Sequence, residues 1–166
     1  SRVDAVIVLD SSRSMQRTDP KRLRDQGAKL FIRFLSQGDR VAVVQFDREA
    51  KAILPMTEVT PQSIAKIDQA IESVPVEGGF TDVDAGIESA IEILGHDGRL
   101  DATKTIVLLS DGKMDPHPSR GTPEQVAKAF KETTLPQLSE KHLKLYTVAF
   151  SDESDKAELA SYAEIG

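Results

Sequence analysis

Apolar residues fill positions 3–9 almost without interruption, and four of them (Val3, Val6, Ile7, Val8) are β-branched. That run predicts a short strand covered on both faces. A polar stretch, Asp10–Asp19, follows. Pro20 then opens a predicted helix, since proline is favoured at the first helical position. Within it Leu23, Gly27, Leu30, Phe31, Phe34 and Leu35 recur at threes and fours, which predicts one core-facing stripe. Gly38-Asp39 ends that helix, and positions 41–46 predict a second strand. Positions 50–54 return too soon for a crossover helix, so they predict an antiparallel hairpin partner at the sheet edge.

Thr60-Pro61 reads as a capped helix start, with Ile64, Ile67, Ile71 and Val74 on one face. A glycine loop, Glu77-Gly78-Gly79-Phe80-Thr81, leads into a helix striped by Val83, Ile87, Ala90, Ile91 and Leu94. Positions 105–109 are the most apolar strand, and Ser110-Asp111-Gly112 closes it. A polar loop follows, then a helix from Glu124 carrying Val126, Ala129 and Phe130, with a kink or break expected at Pro136. The last predicted strand covers 143–150, and the last helix covers 157–166.

Strands alternating with helices predict an α/β fold: a doubly wound, mostly parallel sheet with helices on both faces and one antiparallel edge strand. No internal repeat interrupts the chain, which reads as one domain over 1–166. Ser1-Arg2 enters the first strand directly and the final helix stops with the chain, so a piece excised from a longer protein, its C-terminal element cut short, is expected. In such sheets ligands gather beyond the carboxyl ends of the strands, where the chain order reverses. The polar residues after strand ends therefore carry the interest.

Composition narrows the chemistry. The chain has 21 Lys+Arg against 27 Asp+Glu, a net charge of 21 − 27 = −6, without the basic excess of a nucleic-acid-binding protein. No apolar run approaches the roughly 20 residues that span a bilayer. There is no cysteine, which removes disulfides, thiol catalysis and zinc–thiolate sites. The three histidines, His96, His117 and His142, lack metal-binding spacing and read as loop or surface residues. No compartment can be assigned from these features.

Three strand-end or helix-start loops carry an unusual oxygen set: Asp10-Ser11-Ser12-Arg13-Ser14, Thr81 after the two glycines, and Asp111-Gly112. Two carboxylates and three hydroxyls suit a hard divalent cation, Mg²⁺ or Mn²⁺, with Ca²⁺ also accommodated. Singly, each piece has a plainer reading. Asp10, Ser12 and Ser14 make an ordinary turn before a helix, Thr81 an N-cap, and Asp111-Gly112 a turn. Asp82 and Asp84 suit a first helical turn, where the dipole favours them, and could also form an acidic rim.

Together, Asp10-x-Ser12-x-Ser14, Thr81 and Asp111-Gly112 resemble the metal-ion-dependent adhesion site (MIDAS) of von Willebrand factor type A (VWA) domains. Gly78-Gly79-Phe80-Thr81-Asp82 with Ala85-Gly86-Ile87, the strand 105–112 and the segment 145–150 extend that resemblance over nearly the whole chain. The resemblance implies the family's Rossmann-like fold and a bacterial member. It also implies that Ser12, Ser14 and Thr81 coordinate the ion directly while Asp10 and Asp111 act mainly through water. A protein partner's Asp or Glu would then complete the octahedron. Neutral hydroxyls leave the ion electrophilic toward that carboxylate.

One departure is Arg13, where the family often has glycine. Arg13 is thus a candidate for a bidentate contact to a partner carboxylate. Asp82, Met114 and His117 are further partner-binding candidates at the rim, the last two on the loop after the third ligand. The leading expectation is a non-enzymatic, metal-dependent protein-interaction module, because no nucleophile elbow, placed base or P-loop occurs. One alternative is a Mg²⁺-dependent phosphohydrolase-like enzyme with Asp10 as nucleophile. Its acid/base partner two residues on would have to be Ser12, which lacks the pKa for that work. The other alternative is a docking subunit of a chelatase- or ATPase-type assembly.

Overall fold

The computed structural model describes residues 2–148. Its five strands are β1 (Arg2–Asp10), β2 (Arg40–Phe46), β3 (Ala50–Glu58), β4 (Ala102–Leu109) and β5 (Leu143–Val148), in the order β3-β2-β1-β4-β5. β1 pairs in parallel with both β2 and β4, and β4 in parallel with β5, while β3 runs antiparallel to β2 at the edge. The mixed sheet expected from the alternation is the one that forms. The chain builds outward from β1 to β3, then crosses back to β4 on the other side, so the order reverses at β1.

The helices are α1 (Met15–Thr18), α2 (Leu23–Arg33), α3 (Ile64–Glu72), α4 (Val83–Asp97), α5 (Pro123–Ala129) and α6 (Pro136–Glu140). Side chains alternate across each strand, so burial of both faces gives two cores. On one side Val6, Val8, Val44, Phe46, Ile106 and Leu108 meet α4 through Ile87, Ala90 and Leu94, and α5–α6 through Val126 and Leu138. On the other, Ala5, Ile7, Leu9, Val43 and Leu109 meet α2 through Ala28 and Ile32, and α3 through Ile67 and Ile71. Each such fully buried aliphatic side chain contributes about 1.5–3 kcal/mol of transfer free energy.

Three local expectations change and one is met. The first helix begins at Leu23 rather than Pro20, after the separate turn α1, and Arg22 before it is left-handed with φ 54°. Its buried face is also rotated by one residue from the predicted stripe. Arg24, Asp25, Ala28 and Ile32 are buried, whereas Leu23, Leu30 and Phe34 are exposed. A charged side chain, Arg24, occupies the inner face, and hydrophobic spacing cannot register it. β3 runs past the predicted 54 to Glu58 and includes Pro55, tolerated because this is an edge strand. Before Pro136 the chain makes a π-helical turn over Phe130–Thr134, closed by Leu135 N–H to the Phe130 carbonyl at 2.8 Å. That wide turn is the break expected at the proline. The predicted strand end at 149–150 and helix at 157–166 lie outside the described residues.

Candidate metal centre

β1 delivers Asp10 to the point of reversal with both carboxylate oxygens engaged. Oδ1 accepts the Ser12 N–H at 2.8 Å, and Oδ2 accepts the Ser110 hydroxyl at 2.7 Å. Ser11 turns the other way: its hydroxyl and its N–H both donate to the Phe46 carbonyl at the end of β2. Ser12 and Ser14 therefore stay with Asp10, and their hydroxyls lie 3.0 Å apart. Ser14 in turn donates to Asp111 Oδ2 at 2.5 Å, joining the loop after β1 to the loop after β4. Gly112 has φ 82°, a conformation costly for any other residue, and it lets the chain turn away directly behind Asp111.

The glycine loop is stitched to the same point. Ser12 and Gly78 form a parallel bridge, with Arg13 N–H to the Gly78 carbonyl at 2.7 Å and Gly78 N–H to the Ser11 carbonyl at 3.0 Å. A Cβ on Gly78 would sit 2.3 Å from Asp47 Cβ, so only glycine allows this approach. Thr81 is buried and exchanges two backbone hydrogen bonds with Asp115, of 2.7 and 2.9 Å. Ser12, Ser14, Thr81 and Asp111 consequently line one cavity of about 130 Å³, together with Arg13, Arg17, Thr18, Gly79, Lys113 and Asp115. Asp10 does not line it; fully buried, it stands behind, linked through Ser12.

Burial, reinforced by the negative charge of Asp111, pushes the Asp10 carboxyl up from its ordinary 3.8 to about 6. Among the described residues neither Asp10 nor Asp111 has a salt-bridge partner. Nor do three His, Cys, Asp or Glu side chains gather to hold an ion anywhere in the described residues. The donor set is two carboxylates and three hydroxyls: a set for a hard cation, with Asp10 placed deeper than the hydroxyls.

Two residues that sequence reasoning overlooked hold this set in place. Ser110, seen only as part of a turn, anchors Asp10 Oδ2. Arg24, fully buried, donates from Nη1 to the Asp10 carbonyl at 2.7 Å and the Pro75 carbonyl at 3.2 Å, and from Nε to Asp25 at 3.0 Å. Its Nη2 reaches the Val74 carbonyl at 2.5 Å. It thereby ties the end of β1 to the segment leading into the glycine loop.

The partner-binding candidates fare unevenly. Asp82, not Thr81, is the N-cap of α4, accepting the Ala85 N–H at 2.9 Å, and it is fully buried, so it is no rim residue. Arg120 bridges it to Asp84, itself buried, at 2.9 and 2.7 Å, and Thr134 donates to Asp84. These two carboxylates clamp the loop after β4 onto α4, whereas the sequence suggested solvated first-turn positions. Met114 is buried and packs with Val126 and Phe130 in a core, so it too leaves the rim. His117 is half-buried, with its ring against Phe80 at 5.0 Å and Nδ1 accepting the Ser119 N–H. Arg13 is exposed at the cavity and lies outside the left-handed region, so its side chain costs no backbone strain.

Residues 4–166 match the family model for the von Willebrand factor type A domain. The chain belongs to the VWA family. A protein of Synechocystis sp. is 34% identical over 107 residues, 64% of this chain and 24% of its own length. A solved VWA protein from Catenulispora acidiphila superposes with a TM-score of 0.78 at 24% identity, covering 99% of this chain and 37% of that one. Proximal thread matrix protein 1 of the mussel byssus, solved with a zinc-occupied MIDAS motif, gives a TM-score of 0.70 at 23% identity, covering 98% of this chain and 39% of that one. This VWA domain thus spans about a quarter to two-fifths of the length of these relatives. No helix among the described residues is long and apolar enough to cross a membrane.

Proposed function

We propose that this VWA domain is a metal-dependent protein-interaction module: Ser12, Ser14, Thr81, Asp10 and Asp111 hold one divalent cation, and a partner's Asp or Glu carboxylate binds to it. One observation carries the reading. Four of these five residues, drawn from three distant segments, line one small cavity, and the fifth stands directly behind it. When bound, the ion supplies Lewis acidity toward an incoming carboxylate. The chain's own residues do the rest: the hydroxyls present neutral oxygens, and Asp10 and Asp111 set negative charge beneath them. Ser110 and Arg24 keep Asp10 from turning.

The zinc-occupied motif of the mussel protein supports a divalent site in this fold. For this chain Mg²⁺ or Mn²⁺ is favoured, because among the described residues no side-chain nitrogen or sulfur lines the cavity except those of the exposed Arg13, Arg17 and Lys113, which are cations. A bacterial source is in keeping with the Synechocystis and Catenulispora relatives. The buried, doubly engaged Asp10 speaks against phosphoryl transfer, since a nucleophile must reach its substrate.

Calorimetric titration with Mg²⁺, Mn²⁺, Ca²⁺ and Zn²⁺ tests the site, with binding by the native protein and its loss in Asp111→Ala as the expected result. Equal binding by the variant overturns the assignment. A pull-down with the intact protein, in Mg²⁺ and in chelator, then tests the partner.

A further inference from the structure

The cavity is small. At about 130 Å³ it is on the scale of an ion and one carboxylate, not of a stretch of polypeptide. Whatever carries that carboxylate must lie across the mouth. There it meets three cationic side chains from two loops: Arg13 and Arg17 from the segment after β1, and Lys113 from the segment after β4. All three are exposed, in a chain whose net charge is −6. Among the described residues, the only carboxylate on the cavity's exposed lining is that of Asp115.

The bases of Arg13 and Lys113 are anchored, the first by its N–H to the Gly78 carbonyl at 2.7 Å and the second by its N–H to Asp111 Oδ1 at 3.2 Å. Neither side chain has an ion-pair partner among the described residues. A positive collar around a cation-binding cavity is unfavourable for taking up the cation, since like charges repel. It becomes useful once a negatively charged partner arrives.

We infer that the partner is an acidic protein segment, in which further Asp or Glu residues flank the coordinating carboxylate and pair with Arg13 and Lys113. This rests on the reading that the cavity holds a divalent cation. The planar guanidinium of Arg13 matches a carboxylate with two parallel hydrogen bonds. Exposed ion pairs are individually weak, so the collar works as a group, raising the encounter rate and selecting against neutral or basic segments.

The test uses two capped peptides, Gly-Gly-Asp-Gly-Gly and Glu-Glu-Asp-Glu-Glu, titrated into the Mg²⁺-loaded protein. The acidic peptide is expected to bind about tenfold tighter, an advantage that shrinks as salt rises from about 50 to about 500 mM. The double variant Arg13→Gln/Lys113→Gln is expected to bind the two peptides alike, with its Mg²⁺ uptake measured in parallel to show that it is folded. Equal affinity of the two peptides for the native protein overturns the inference, as does an undiminished preference in the folded double variant. So does polyphosphate of equal charge binding as tightly, which would make the collar a general anion site. The two readings fail separately. If the acidic peptide keeps its advantage in chelator, the collar stands and the metal bridge falls. If Mg²⁺ binds and neither peptide does, the collar falls.

Discussion

The two ends of β1 each bury an aspartate completely, and the protein treats them in opposite ways. Asp4 is met by Arg40 from β2 and by Arg99 from the turn after α4, each donating twice from its guanidinium, with the Arg99 N–H adding a further bond at 2.6 Å. Burial alone would raise its pKa. Those hydrogen bonds outweigh it and hold the carboxyl well below the usual carboxylate range. Asp10 receives one N–H and one hydroxyl, and the negative charge of Asp111 adds to the burial that raises its pKa. Six residues apart on one strand, one aspartate is neutralised by two arginines and the other has no salt-bridge partner among the described residues. A buried carboxylate is therefore informative through its partners rather than its burial.

The largest expected effect breaks the first end. Asp4→Ala leaves two arginines facing a buried hole and should cost about 3–5 kcal/mol, read from chemical denaturation, to the same extent with Mg²⁺ or chelator. Arg24→Met should come next, at about 2–4 kcal/mol, because the carbonyls of Asp10 and Pro75 lose this buried donor and that of Val74 keeps only Arg22. Unlike Asp4→Ala, it should also weaken Mg²⁺ binding measured by calorimetry, since it loosens the strand end.

Asp10→Asn should do the reverse of Asp4→Ala. In chelator the variant is expected to melt no lower than the native protein, because a repelled buried charge has gone. Yet it should lose the Mg²⁺-induced stabilisation, which for the native protein amounts to about 2.7 kcal/mol at a hundredfold excess over Kd. Persistence of the full metal shift would place the ion elsewhere.

The pH dependence sharpens the comparison further. Asp10 has a folded-state pKa raised from 3.8 to about 6, so its contribution to stability is fully present below 3.8 and is lost as pH rises through about 6. Asp4 has a depressed pKa, so its contribution is present above 3.8 and is lost as pH falls toward its folded-state value. In chelator, Asp4→Asn should therefore remove stability at pH 7 but not in strong acid. Asp10→Asn should raise it at pH 7 and leave it unchanged below about pH 4.

Much of this was legible in the residues. Uninterrupted apolar runs announced strands buried on both faces, and the short gap between 46 and 50 announced the antiparallel edge. The ligand candidates were legible only in combination: Asp10, Ser12 and Ser14 make an ordinary turn by themselves, and Thr81 and Asp111 at two other strand-end or helix-start loops set them apart. What escaped was everything decided by a partner distant in sequence. The rotated face of α2 depends on Arg24 finding three carbonyls, two of them some 50 residues away. Asp82 looked solvated because Arg120, which covers it, lies 38 residues further on. Met114 looked like a loop residue because its polar neighbours conceal one inward-facing side chain.

The reach of Arg24 also bears on how the domain comes apart. By gathering the ends of β1 and α3 around one guanidinium, it merges these segments into a single cooperative opening unit. Amide hydrogens at buried Ser12 and at exposed Arg13 should then exchange with deuterium alike, at the slow pace of the central strand. The exposure of the Arg13 side chain would give no hint of that protection.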